Sequence, residues 1–205
     1  SELDAHTIGA KLGMAPQLFY ADQNQLVLVM EFIEGRPFSR KDLDNPDIIK
    51  KVMQTIKKFH NYSSEEELRK QTRAELIKNL YDHSKTKNGV VFPSCFDQLH
   101  KQLQADCASL KTKHLPSHGD LNLDNVLIAE DGNVYFIDWA ESGIDNPFLD
   151  IGWLACCSAA NNDQVKNLLQ EYLGRSPNAS EITETLFYRD VTIFFIAIFW
   201  IERQN

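Results

Sequence analysis

The chain is 205 residues long, 43% hydrophobic and 24% charged, with a formal net charge of −8. This is the composition of an ordinary globular protein with enough chain for one domain. The acidic balance disfavours a nucleic-acid binder, which needs a basic face to neutralise phosphates. Cys95, Cys107, Cys156 and Cys157 include no C-x-x-C pair. They read as free buried thiols of a reducing cytoplasmic compartment, not as a zinc site or a disulfide framework.

From the N-terminus, residues 3–13 place Leu3, Ile8 and Leu12 on one helical face, with Gly13 and Pro16 as a stop. The opening stretch lacks the basic-then-apolar order of a signal peptide. "QLFYA" (17–21) and "QLVLVMEF" (25–32) read as an antiparallel strand pair around "DQN", and "IEGRPF" breaks the pattern. Asn45 followed by Pro46 predicts a helix start, with Ile49, Val52, Met53, Ile56 and Phe59 at helical spacing. Ser64 with Glu67 predicts a capping box for a helix over about residues 65–82. Ser94 predicts the start of a third helix, with Phe96, Leu99, Leu103, Cys107 and Leu110 on one side. "NVLIA", the turn "EDG" and "NVYFID" form a hairpin, and "WAESGIDNPFL" reads as a loop. Helices are predicted over about 149–160, 162–173 and 180–203, the last capped by Ser180. Its apolar run "VTIFFIAIFWI" falls short of the ~20 residues of a bilayer span, and reads as a buried helix or a surface for a partner.

The hairpin carries the chemistry. Asn125 starts its first strand and Asp138 ends its second, so an amide oxygen and a carboxylate converge, with Asp120 on the adjoining loop. Hard oxygen ligands without Cys or paired His suit Mg²⁺, which prefers one or two carboxylates plus substrate phosphates. Asp120 is then free to orient or deprotonate an attacking hydroxyl. Singly these are ordinary turn residues. Their order, His-x-Asp-x4-Asn, strand, turn, strand, Asp, is the specific signal.

"HGDLNLDNVL" followed by "FIDWAESGIDNPFLDIG" resembles the catalytic region of the aminoglycoside phosphotransferase and choline/ethanolamine kinase group, small-molecule kinases with a protein-kinase-like fold. The resemblance implies that Asp120 is the catalytic base, that Asn125 and Asp138 bind the metal, that His118 buttresses the loop and that Asp150 braces it. Gly119 and Asn122 stand where protein kinases carry Arg and Lys, which points to the small-molecule branch. "GMAPQLFYADQNQLVLVMEFIEG" is similar to the group's last N-lobe strands and hinge, so backbone groups near Glu31, Phe32 and Ile33 are expected to hold adenine. "IKKFHN" resembles the group's helix that often ends in Leu-His. The expected architecture is α+β and protein-kinase-like. An N-lobe remnant spans residues 1–35, and a mainly helical C-lobe with the catalytic loop and metal site spans residues 36–205.

The group's glycine-rich phosphate loop and strand lysine have no counterpart in the sequence, and both belong before the first helix. The chain therefore reads as a fragment of a longer protein, or as a kinase with a reduced N-lobe. The edge at "QLVLVMEF" is then open to pairing with a second copy. Acceptor-site candidates are Glu141, Trp153, Tyr188 and Trp200, with Tyr172, Asp145, Glu184 and Asp190 as further aromatic and acidic residues. Aromatic faces with carboxylates suit a cationic alcohol such as choline or ethanolamine, whereas an aminoglycoside prefers a carboxylate-rich cleft. Relatives of choline kinase usually have an acidic residue two positions after the second metal aspartate. Here that position is Ala140, followed by Glu141. The expected function is ATP- and Mg²⁺-dependent phosphotransfer to a small alcohol, with an aminoglycoside phosphotransferase or a non-catalytic pseudokinase as alternatives.

Overall fold

A computed structural model describes the chain except at residues 23, 26, 64–67, 87–88 and 205. Helix α1 (Glu2–Lys11) is opened by a reciprocal cap between Ser1 and Asp4 and buries Ala5, Ile8 and Ala10. Strands β1 (Leu18–Asp22) and β2 (Val27–Met30) pair antiparallel, with an irregularity between Leu18 and Tyr20. Their faces are poorly covered: Phe19, Tyr20, Val27 and Val29 are all exposed. Each strand keeps one edge without a strand partner among the described residues.

The chain then enters the helical body. Strand β3 (Gly35–Pro37) pairs with β5 (Val126–Ala129), which pairs with β6 (Val134–Phe136) in the order β3-β5-β6. Sequence reasoning saw the β5–β6 hairpin but took residues 33–38 as a break. Likewise β4 (Leu115–Ser117) and β7 (Gly143–Asp145) pair beside the loop that carries Asp120, within a stretch expected to be loop at the β7 end. Three-residue strands are too short to display the alternation that identifies a strand.

Helix α2 (Pro46–His60) follows the prediction: Asn45 accepts from the N–H groups of Asp47 and Ile48, and Ile49, Val52, Met53, Ile56 and Phe59 are buried. Helix α3 (Arg73–Thr86) starts later than predicted. The proposed Ser64–Glu67 box lies outside the described residues. At the observed start, Thr72 and Glu75 exchange hydrogen bonds in both directions. Helix α4 (Cys95–Ser109) follows Ser94, which makes no side-chain cap bond. Its expected apolar side is only partly covered: Leu103 is buried, whereas Leu99 is half exposed. Helices α5 (Phe148–Cys157), α6 (Asn162–Leu173) and α7 (Ala179–Arg203) complete the body. The cap of α7 is Asn178, paired with Glu181, and not Ser180. Asn178-x-x-Glu181 is the full capping-box pattern, which Ser180 lacks.

The first eight residues of α5 are all buried, and the helix packs closely along α7. Gly152 makes this approach possible: a Cβ there would lie 2.7 Å from the backbone N of Arg189. No helix of the described residues is long and apolar enough to cross a membrane. The four thiols are unpaired, but Cys95 is exposed and the others are only partly buried, which corrects the expectation of buried thiols. A single aqueous exposure class does not follow from cysteine spacing, because Cys95 sits on the solvent side of the first turn of α4.

Candidate active site

Strand β4 delivers the chain into His118, Gly119 and Asp120, and the first turn of α5 anchors that loop from below. Asp150 Oδ2 accepts from the backbone N–H of His118 at 2.9 Å, and Oδ1 accepts from that of Gly119 at 2.8 Å. His60, at the end of α2, lies with Nε2 2.9 Å from Asp150 Oδ2 and Nδ1 2.8 Å from the Tyr172 hydroxyl. A proton on Nε2, with the tyrosine donating to Nδ1, satisfies all three groups. Burial works to raise the Asp150 carboxyl, but the bond to His60 and the neighbouring positive ends outweigh it and hold the pKa below its ordinary value. Asp150 thus holds two backbone N–H groups of the loop it was expected to brace.

His118 is itself buried, and burial pushes its pKa down. Its Nδ1 accepts from the Asp120 N–H at 3.3 Å, and Nε2 then donates to the Ile137 carbonyl at 3.1 Å. The ring thus ties the catalytic loop to the end of β6 and rests on Trp139, 4.6 Å between centroids. Gly119 has φ +83°, and a Cβ there would lie 2.4 Å from the Glu141 carbonyl oxygen. Only glycine fits that turn.

Asp120 is held from several sides. Asn122 Nδ2 donates to its Oδ1 at 2.5 Å, and Asn125 Nδ2 donates to its backbone carbonyl at 2.9 Å and approaches Oδ2 at 3.3 Å. The buried indole N–H of Trp153 faces the same carboxylate but completes no full hydrogen bond among the described residues. Burial, and after it the charge of Asp138, push the Asp120 carboxyl up to about 6, against the opposing pull of Arg73. Asp138 is exposed and sits in the left-handed region at φ +59°, a conformation that only a few residue types tolerate. The Ile137 N–H donates to the Asn125 carbonyl at 3.1 Å, so the hairpin sets Asn125 opposite the residue that precedes Asp138.

No cluster of three or more His, Cys, Asp or Glu residues capable of caging a metal occurs among the described residues. The donor set nevertheless fits Mg²⁺. It is all oxygen, it includes an exposed carboxylate, and the mutual repulsion of Asp120 and Asp138 is the kind a cation relieves.

A cleft of about 370 Å³ opens beside Asp120, lined by Asn122, Glu141, Trp153, Phe195, Phe199 and Trp200 among others. Three of the four acceptor candidates are therefore brought together: Glu141, Trp153 and Trp200. Tyr188 is not. It is buried in the core two turns before Phe195 on the same stripe of α7, and aromatic spacing along a helix cannot tell which turn reaches the cleft. Tyr172 is taken up by His60, Asp145 accepts from the backbone of Arg73, and Glu184 is bonded by Thr112 and Asn146. Asp190 does not line the cleft either. The hinge residues Glu31, Phe32 and Ile33 border a separate, shallow cleft of about 290 Å³ with Ala129, Glu130, Asp131 and Tyr135. Phe32 is 87% exposed, and the backbone N–H groups of Phe32 and Ile33 make no hydrogen bond among the described residues.

Sequence reasoning missed Arg73. Its side chain is fully buried, donates to the Gly119 carbonyl at 2.7 Å, and faces Glu141 Oε2 with Nη1 at 3.2 Å. The guanidinium lies 4.8 Å from the Trp153 ring centre and 4.7 Å from that of Phe195. Nothing in "KQTRAELIKN" separates this arginine from the solvated charges around it.

A family model described as the phosphotransferase enzyme family matches residues 2–183. No curated protein sequence matches the chain. Among solved structures, a choline/ethanolamine kinase family protein from Mesorhizobium loti aligns over 99% of this chain and 70% of its own, with TM-score 0.86 and 19% identity. The choline kinase LicA from Streptococcus pneumoniae aligns over 100% and 73%, with TM-score 0.81 and 17% identity. An aminoglycoside-3'-phosphotransferase of type VIII aligns over 95% and 78%, with TM-score 0.65 and 17% identity. The fold is the mainly helical, kinase-like α+β arrangement that the motif implied.

Proposed function

The chain belongs to the phosphotransferase enzyme family, and from that premise we propose that it transfers the γ-phosphoryl group of ATP to a hydroxyl of a small cationic alcohol. The observation that carries the reading is the placement of Asp120 at the mouth of an aromatic cleft, with Asn125 and Asp138 beside it. Asp120 is placed to accept the acceptor hydroxyl's hydrogen bond and align its oxygen for attack. Asn125 and Asp138 would hold Mg²⁺, which supplies neutralisation of phosphate charge when bound. Asp150, His60 and His118 keep the loop rigid, so Asp120 meets the acceptor in one geometry. The exposed backbone near Phe32 and Ile33 is the segment we assign to the adenine edge.

Charge in the cleft favours a monocation over a polyamine. Glu141 is engaged by Arg73 and Arg69, leaving Asp120 as the cleft carboxylate without an ion pair among the described residues. Trp153 and Phe195 already stack on Arg73, and Phe199 on Arg203. Trp200 has no such cation among the described residues and is the ring we assign to the ammonium group. The test is ³¹P NMR of Mg-ATP with the protein and, separately, choline, ethanolamine or kanamycin. A new phosphomonoester signal with choline or ethanolamine is the expected result. A signal with kanamycin alone would replace the monocation by an aminoglycoside, and ATP left intact with all three, both by this chain and by one extended upstream to carry a phosphate loop and lysine, would sink the reading.

A further inference from the structure

Asn122 and Cys157 carry no part in the chemistry above, yet they form a chain that ends on Asp120. The Cys157 thiol, at the last residue of α5, donates to Asn122 Oδ1 at 3.0 Å. Asn122 Nδ2 in turn donates to Asp120 Oδ1 at 2.5 Å. An amide has one acceptor end and one donor end, so the neighbour of one end decides what the other end presents. With a donor at its oxygen, Asn122 must turn its NH₂ to the carboxylate. Without one, the amide oxygen is left unpartnered and the side chain is free to turn from Asp120 toward the open cleft. A hydrogen bond with Cys156, and burial after it, push the Cys157 pKa up, so Cys157 remains a thiol whose one proton is shared between Cys156 and Asn122. Asn122 also lines the acceptor cleft, which puts this amide between solvent, substrate and base.

We infer that Cys157 and Asn122 are positioning residues that fix which oxygen of Asp120 faces the acceptor hydroxyl. Asn122 occupies Oδ1, and Oδ2 is left with the longer 3.3 Å approach of Asn125. Oδ2 is therefore the oxygen available to the acceptor. The thiol acts at one remove, through the amide. A thiol–amide lock of this kind is chemically conservative to serine, which keeps a donor, and not to alanine, which keeps only the volume of a methyl group.

The kinetic consequence rests on the phosphotransfer reading, whereas the geometry of the lock does not, so two measurements separate them. The first is the side-chain amide signal of Asn122 in ¹⁵N-labelled protein, assigned by its loss in Asn122→Ala. In wild type, one amide proton should be shifted downfield and exchange slowly. Cys157→Ala should abolish that shift, and Cys157→Ser should restore it. The second is turnover. Cys157→Ala should lower kcat roughly threefold to tenfold, the size of a lost neutral hydrogen bond, with KM for ATP unchanged and recovery in Cys157→Ser. An Asn122 signal indifferent to Cys157→Ala, or one lost equally in the serine variant, would overturn the lock and leave Cys157 as packing. A wild type that phosphorylates nothing would remove the phosphotransfer reading, and the amide signal alone would then decide the positioning.

Discussion

Asp120 is the residue whose surroundings serve chemistry at a cost to the fold. Half-buried and near the charge of Asp138, its carboxyl is pushed up to about 6 from an ordinary 3.8. A carboxyl raised on folding destabilises the native state wherever it must be ionised. That penalty is complete above the folded pKa of about 6 and vanishes below the unfolded value near 3.8. Asp120→Asn, which keeps the shape and removes the charge, should therefore raise the urea midpoint at pH 8 with EDTA present. The gain should shrink as pH falls through 6 and be gone near pH 4, as expected of a residue kept for function over stability. A gain constant across that range would mean that packing, and not ionisation, separates the two proteins. At this scale the motif residues were legible because His118, Asp120, Asn125, Asp138 and Asp150 fall in one stretch with fixed spacing. Arg73 and the His60–Tyr172 pair were not, because each reaches its partner across several intervening elements and no local pattern encodes that contact.

Among elements, the long helices declared themselves through periodicity and caps: α2, α6 and α7 lie within a few residues of where spacing put them. The three-residue strands β3, β4 and β7 did not, since their existence depends on neighbours supplied by the tertiary fold. The contact of α5 with α7 is another tertiary feature, and it sets the acceptor cleft, because Trp153 comes from one helix and Phe195 and Trp200 from the other. Gly152 holds these helices at backbone distance: a Cβ there would lie 2.7 Å from the N of Arg189 and 2.8 Å from the C of Tyr188. Gly152→Ala should cost about 1–3 kcal/mol, the usual range for overpacking a core. By tilting Trp153 away from α7 it should also raise KM for the acceptor more than KM for ATP. Denaturant midpoints and steady-state kinetics read the two effects separately. An alanine variant with unchanged stability would mean that α7 shifts freely, and the cleft would then be adaptable instead of fixed.

At the scale of the whole molecule, Arg73 joins parts that sequence reading treated as separate. It starts α3, and its backbone N–H donates to Asp145 at the end of β7. Its guanidinium holds the Gly119 carbonyl of the catalytic loop and stacks on Trp153 of α5 and Phe195 of α7. Burial lowers its pKa, and the charge of Glu141 works against that shift. A buried cation of this kind is costly to create and costlier to leave unpaired. Arg73→Met should destabilise by about 1–3 kcal/mol, because it leaves the buried Gly119 carbonyl without its donor, while Glu141 keeps Arg69. Glu141 is 39% exposed, so Glu141→Gln alone should cost no more than about 1 kcal/mol. If the ion pair is what stabilises the arginine, the double variant should cost less than the sum, with a coupling of about 1–2 kcal/mol in a urea-denaturation cycle. Strict additivity would assign the arginine's hold to the two aromatic rings and the loop carbonyl instead. Glu141 would then be released toward the cleft, and the argument that Arg73 masks its charge from the acceptor would have to be given up.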